Sequence, residues 1–227
     1  MNNIMLFVEV VCLFGTLVLC KRLFGKDGVF AWVAMATILA NVITAKNADV
    51  FGLSTAIGTV MFASTFLATD ILSECYGKGE AKKAVYIGLF SSALLIVATQ
   101  IALAYSPSEF DYADGAMRVL FSMNLRISIA SMVMYFIANM ADVYIFNRLK
   151  DKMNGKRLWL RNNVATILCN CLENFGFIGL AFAGIYDAPT IFTIALSTSI
   201  IELLVALLDT PFLYIAKRVK DKEWRCQ

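Results

Sequence analysis

Of the 227 residues, 59% are hydrophobic and 16% charged, and the mean hydropathy is +0.71, which excludes a soluble domain with a hydrated surface and implies a membrane protein. Histidine is absent, so His-based metal sites and His general bases are excluded, and neither a metal nor a cofactor is expected. The six cysteines contain no CxxC pair and read as small packed apolar residues.

Seven apolar runs are long enough to cross or nearly cross a hydrocarbon core: 4–20, 29–45, 55–75, 84–105, 119–146, 158–186 and 190–216. They predict an all-α, polytopic transmembrane bundle of seven spans forming a single membrane domain over residues 1–227. The segment after Met1 lacks a basic leader and a small-residue cleavage site, so it is expected to be retained. Gly25 to Gly28 predicts a tight turn between the first two spans, and Asn47 to Ser54 a short connection, re-entrant or not, before the third. Tyr76 to Gly79 and Asn154-Gly155 punctuate the next turns, and Pro107 stops the fourth span. Asp187-Ala188-Pro189 reads as a cap with proline in the first turn, whereas Pro211, inside the last span, predicts a kink near Asp209.

Lysine and arginine decide orientation because basic loops stay cytoplasmic. Seventeen of the 20 basic residues fall on one side of the predicted alternation, after spans one, three and seven and around the turn from 148 to 161. The N-terminus is therefore expected outside and the C-terminus in the cytoplasm. The net charge of +3 fits contact with anionic lipid headgroups and gives no reason to invoke nucleic acid.

Glu9, Asp70, Asp142, Glu173, Glu202 and Asp209 all fall within the spans, with Arg126 as the internal base. A charge at mid-bilayer costs on the order of 3 kcal/mol on insertion scales, so these groups must face protein or water. The alternative is interhelical hydrogen bonding, worth roughly 0.6–2 kcal/mol each. Asn163, Thr166, Asn170 and Glu173 recur at steps of three and four and form one stripe, with Asn174 at its edge. Asn139 precedes Asp142, and Asn170 precedes Glu173, by one turn on the same face. Thr59, Asp70 and Ser73 share another face, as do Ser199, Glu202 and Asp209. Spacing from the flanking basic residues sets Asp70 and Asp142 in the cytoplasmic half and Glu173 and Glu202 nearer the middle.

The stretch from Phe66 through Thr69-Asp70-Ile71-Leu72-Ser73-Glu74-Cys75-Tyr76-Gly77-Lys78 to Ala84 resembles the signature of the queuosine precursor transporters, also called the vitamin-uptake-transporter-like family. Leu125-Arg126-Ile127, the run from Ala141 to Lys150, and Leu158-Trp159-Leu160-Arg161-Asn162-Asn163 match in order. The family often carries Gln-x-x-Asp where this chain has Asn139 to Asp142 and Asn170 to Glu173. The resemblance implies a multi-pass protein of the cytoplasmic (inner) membrane that takes up 7-deazaguanines such as preQ0, preQ1 or queuine for salvage into tRNA.

A guanine-like ring presents two adjacent N–H donors to a carboxylate and a carbonyl to an amide or arginine. Glu173 or Asp70 is expected on the N–H edge and Asn139 and Asn170 on ring acceptors, with Glu202 also in the site and Tyr135 and Phe175 as stacking candidates. Arg126, Asp142, Asn163, Thr166 and Asp209 are expected to form a coupling or structural polar network. The alternative function is the substrate-binding membrane subunit of an energy-coupling-factor-type importer for a small vitamin-like heterocycle. No P-loop is present for ATP hydrolysis, and no nucleophile motif supports an enzyme. The oligomeric state stays open, a homodimer included.

Overall fold

The computed structural model describes residues 1–121 and 125–221, and within them all side chains except those of Ser54, Leu125 and Arg126. Arg126 therefore has its backbone in a helix and its side chain outside the described residues. The elements are α1 (Asn2–Ile43), β1 (Asn47–Val50), β2 (Leu53–Ala56), α2 (Gly58–Cys75), α3 (Lys78–Ala104), α4 (Asp114–Phe121), α5 (Leu125–Lys152), α6 (Leu158–Phe182) and α7 (Ala188–Arg218). Five of the helices, α1, α3, α5, α6 and α7, contain stretches long and apolar enough to cross a membrane. The all-α membrane bundle expected from composition is thus present.

The 42 residues of α1 are broken at Gly25, whose φ of 60° and ψ of −142° no helix contains. Glycine is needed there because a Cβ makes that region costly. The two halves run antiparallel. Asn2 donates to the carbonyl of Asp49 at one end of the bundle, and Lys21 reaches the carbonyl of Val219 and the carboxylate of Asp221 at the other. The second half returns, so that Asn41 and Thr44 again lie beside the β-hairpin end. A Cβ on the buried Gly28 would meet the Cys20 carbonyl oxygen at 2.5 Å, which shows how tightly the return is packed.

The connection from Asn47 is an antiparallel hairpin, with Asn47 opposite Ala56 and Val50 opposite Leu53. Its two-residue turn, Phe51-Gly52, has positive φ at both positions, the geometry that matches strand twist. Phenylalanine is an uncommon choice there. It is held by its backbone N–H on Asn3 Oδ1 and by an edge-on contact of its ring with Phe7. Because Thr55 pairs in β2, the third apolar run enters its helix at Gly58, later than its composition suggests.

Within the run at 119–146 the described residues belong to α4, as far as Phe121, and to α5, from Leu125. Gln100 donates to the Phe121 carbonyl. At the far end α6 stops at Phe182, four residues before the expected Tyr186, where Gly184 adopts a φ of 80°. Asp187 precedes α7 without a side-chain cap, and α7 stays helical through Pro211.

The centre of the bundle is α2, in contact with α1, α3, α5 and α7. Fifteen of its 18 residues are buried. Its sequence explains this place, since Gly58, Ala63, Ser64, Ala68 and Ser73 are small enough for close helix approach. Its hydroxyls are satisfied locally, Ser64, Thr65 and Thr69 donating to carbonyls three residues back. Those same hydroxyls dilute its hydropathy, and α2 is not among the five apolar helices.

Overpacking a close approach costs roughly 1–3 kcal/mol. Gly28→Ala is therefore expected to lower the melting temperature of detergent-solubilised protein by several degrees, while Gly15→Ala, whose Cβ meets nothing within 4 Å, leaves it unchanged.

Candidate functional site

A cavity of about 320 Å³ lies between α1, α2, α5, α6 and α7, within the size range of small-molecule sites. Glu173, Glu202, Asn174, Tyr135, Phe62 and Thr59 are among its walls, and it reaches the exposed Thr44 and Asn47 at the hairpin end. Glu202 accepts from Asn174 Nδ2 at 2.6 Å, and the same amide also lies 3.3 Å from Ser199 Oγ. Glu173 Oε2 is buried and has no hydrogen-bond partner among the described residues. The two glutamates are near enough to interact electrostatically. Phe62 packs edge-on to both Phe66 and Tyr135, giving the cavity an aromatic wall.

Tyr135 owes its position to Gly88 on α3, where any Cβ would overlap the phenol oxygen, and Thr37 lies alongside. Beneath the cavity, the buried Phe66, Ala138 and Cys169 pack into a small apolar cluster. Cys169 interacts electrostatically with Glu173 on one side and with Asp70 and Asp142 on the other, which sets this cluster between the two polar regions.

The second region is fully buried. Asp70 of α2 and Asp142 of α5 are both fully buried and near enough to interact directly, with Thr166 of α6 beside Asp142. A carboxyl–carboxylate contact of this kind needs a proton on one partner. None of the four oxygens receives a well-formed hydrogen bond from a described residue. Asp209 accepts from Asn162 Nδ2 at 2.6 Å, and Asn163 donates to Thr210 Oγ1 and the Trp159 carbonyl.

Further toward the basic end, Glu74 is met by three cations: Lys217 Nζ at 2.7 Å, Arg161 Nη1 at 2.8 Å and Lys150 Nζ at 3.1 Å. Arg161 has 0% side-chain exposure and lies over the Phe146 ring. Lys150 also donates to the carbonyls of Ser73 and Glu74, capping α2. Beside this cluster the Tyr76 hydroxyl donates to Asp221, which also pairs with Lys21. Burial first, and the Asp221 carboxylate second, raise the Tyr76 phenol above its usual range, so it remains a donor.

Of the residues expected in a binding site, Glu173, Glu202 and Tyr135 line the cavity. Asp70 and Asn139 are wholly buried and outside its lining, and Asn139 keeps an unpartnered Oδ1. Asn170 borders a separate shallow groove between α6 and α7. Phe175 faces outward against Phe192. Phe62 carries no signal in the periodicity. Asn174 stands only at the edge of the predicted stripe of α6, and Arg161 only among the cytoplasmic charges and in the motif from Leu158 to Asn163.

The family model described as putative vitamin uptake transporter matches residues 56–216. The chain belongs to this family. It is 33% identical to a protein of Bacillus subtilis (strain 168) named "Probable queuosine precursor transporter", over 99% of this chain and 98% of that protein. It is 31% identical to a Haemophilus influenzae protein of the same name over 55% of this chain and 51% of that one. A match to the "Queuosine precursor transporter" of Escherichia coli (strain K12) has 29% identity over 66% and 67% of the two chains. No solved structure matches significantly. The matched span contains the cavity glutamates, the buried aspartates and Glu74, so this family member is a multi-pass membrane protein whose polar interior lies within the shared region.

Gly88→Ala is expected to displace Tyr135 and reduce uptake several-fold in a cell-based assay, with partial recovery in the Gly88→Ala, Tyr135→Phe double variant because the hydroxyl is the closest obstacle.

Proposed function

We propose that this chain imports queuosine precursors, 7-deazaguanines such as preQ0, preQ1 or queuine, across the cytoplasmic membrane without altering them chemically. The observation that carries the reading is the unpartnered, buried Glu173 oxygen in the wall of a cavity that reaches one face of the bundle. A deazaguanine edge supplies the two parallel N–H donors that such a carboxylate lacks. The name of a relative matched over nearly the whole chain supports the same substrate class.

In this proposal Glu173 accepts from the ring, Glu202 acts with it while held by Asn174, and Phe62 and Tyr135 offer aromatic surface to the heterocycle. The two halves of α1, together with α2, α3, α5, α6 and α7, make seven passes. The N-terminus and hairpin face outside and the basic end faces the cytoplasm, as basic residues dictate. The cavity is then accessible from outside, while the Glu74 cluster closes the cytoplasmic end.

Hydrogen bonds to charged groups contribute about 1.5–3 kcal/mol. Glu173→Gln places an amide donor against ring donors and is expected to weaken binding about tenfold or more, read by direct titration of the purified protein; unchanged affinity in a well-folded variant removes Glu173 from the site. Liposomes containing only this protein should take up labelled preQ0 or preQ1 without ATP. Binding without uptake would instead point to a subunit that needs a separate energising module, and an altered product to an enzyme.

A further inference from the structure

Between the cavity and the Glu74 cluster, Asp70 and Asp142 meet fully buried and outside the lining of the cavity. Their contact joins α2 to α5. Thr166, 1% exposed and with its hydroxyl otherwise unpartnered, adds an oxygen from α6. A contact between two buried acids is a place for a proton.

We propose that Asp70 and Asp142 form a proton-binding site that couples substrate uptake to an inward pH gradient. This rests on the uptake reading above. The pair holds one proton at rest. A second arrives from outside water while the cavity is loaded, converting the remaining carboxylate to a carboxylic acid, and leaves to cytoplasmic water once the basic end parts, so one proton crosses per cycle.

The surrounding charges give this step a consequence. Facing the pair are Asp209 from α7, Arg161 and Cys169 from α6, and Glu74 one turn along α2. Lys150 of α5 and Lys217 of α7 complete the Glu74 cluster. Among the described residues α1 and α3 direct no ionisable group at either aspartate; Lys21 of α1 is engaged with Asp221, and Glu80 of α3 with Lys26. The second proton removes one negative charge from beside Lys150, Arg161 and Lys217, three cations crowded on the single carboxylate of Glu74, which favours their separation.

The test uses full-length protein in liposomes, with labelled preQ0 and preQ1 each assayed. Wild type is expected to accumulate label when the lumen is alkaline, about tenfold per pH unit for one proton with an uncharged substrate, and to lose accumulation with a proton ionophore. Asp142→Asn is expected to exchange internal for external label yet reach an accumulation ratio of about one, and Asp142→Glu to restore accumulation. Should Asp142→Asn fail to fold, Asp70→Asn is read in the same way.

Wild-type transport indifferent to the gradient, or full accumulation by either asparagine variant, overturns the proton site alone. Failure of wild type to move any label overturns the uptake reading and the proton site together.

Discussion

The bundle is organised around the need to neutralise a carboxylate at the end of its central helix. Glu74 is 4% exposed in its side chain, and its three cationic partners come from three other helices, α5, α6 and α7. Removing one partner of a buried ion pair typically costs 3–5 kcal/mol, because the other charge is left desolvated. No hydrophobic force pulls helices together in lipid, so such fixed electrostatic points and close contacts of small residues define the assembly. α2 supplies both: small and hydroxylated residues along its length and a charge anchor at its terminus.

From that anchor the polar interior divides into layers along α2 and α6. The ion cluster comes first, then Asp70 with Asp142, then the apolar contact of Phe66, Ala138 and Cys169, and finally the cavity at Glu173 and Glu202. The polar face of α6 runs through all of them, from Arg161 in its first turn to Asn174.

Much of this was legible in the sequence. The apolar runs point to the helical membrane bundle, the glycines to the break at Gly25, and the lysines and arginines to the basic end. Acids spaced at helical intervals pointed to an interior rather than a lipid face. The hairpin was not legible, because Asn47 to Ala56 has no clear alternation and its turn uses Phe51, whose left-handed backbone depends on Asn3 far away in sequence. Nor was the burial of Arg161, since a residue four positions into α6 looks the same whether it meets water or Glu74. Phe175 illustrates the converse: proximity to a motif along the chain says nothing about the face, and 100° per residue turns it away from Glu173.

The end of the first half of α1 meets the end of α7 at the basic face. Phe14 packs edge-on against Phe212, and Lys21 binds Val219 and Asp221, residues about two hundred positions later in synthesis. The first helical pair to enter the bilayer therefore waits, with a lysine unsatisfied and an aromatic flank uncovered, until the last helix emerges from the ribosome. Its insertion must be tolerated in that unfinished form. Contacts between the earliest and latest segments are thus completed only once α7 is in place.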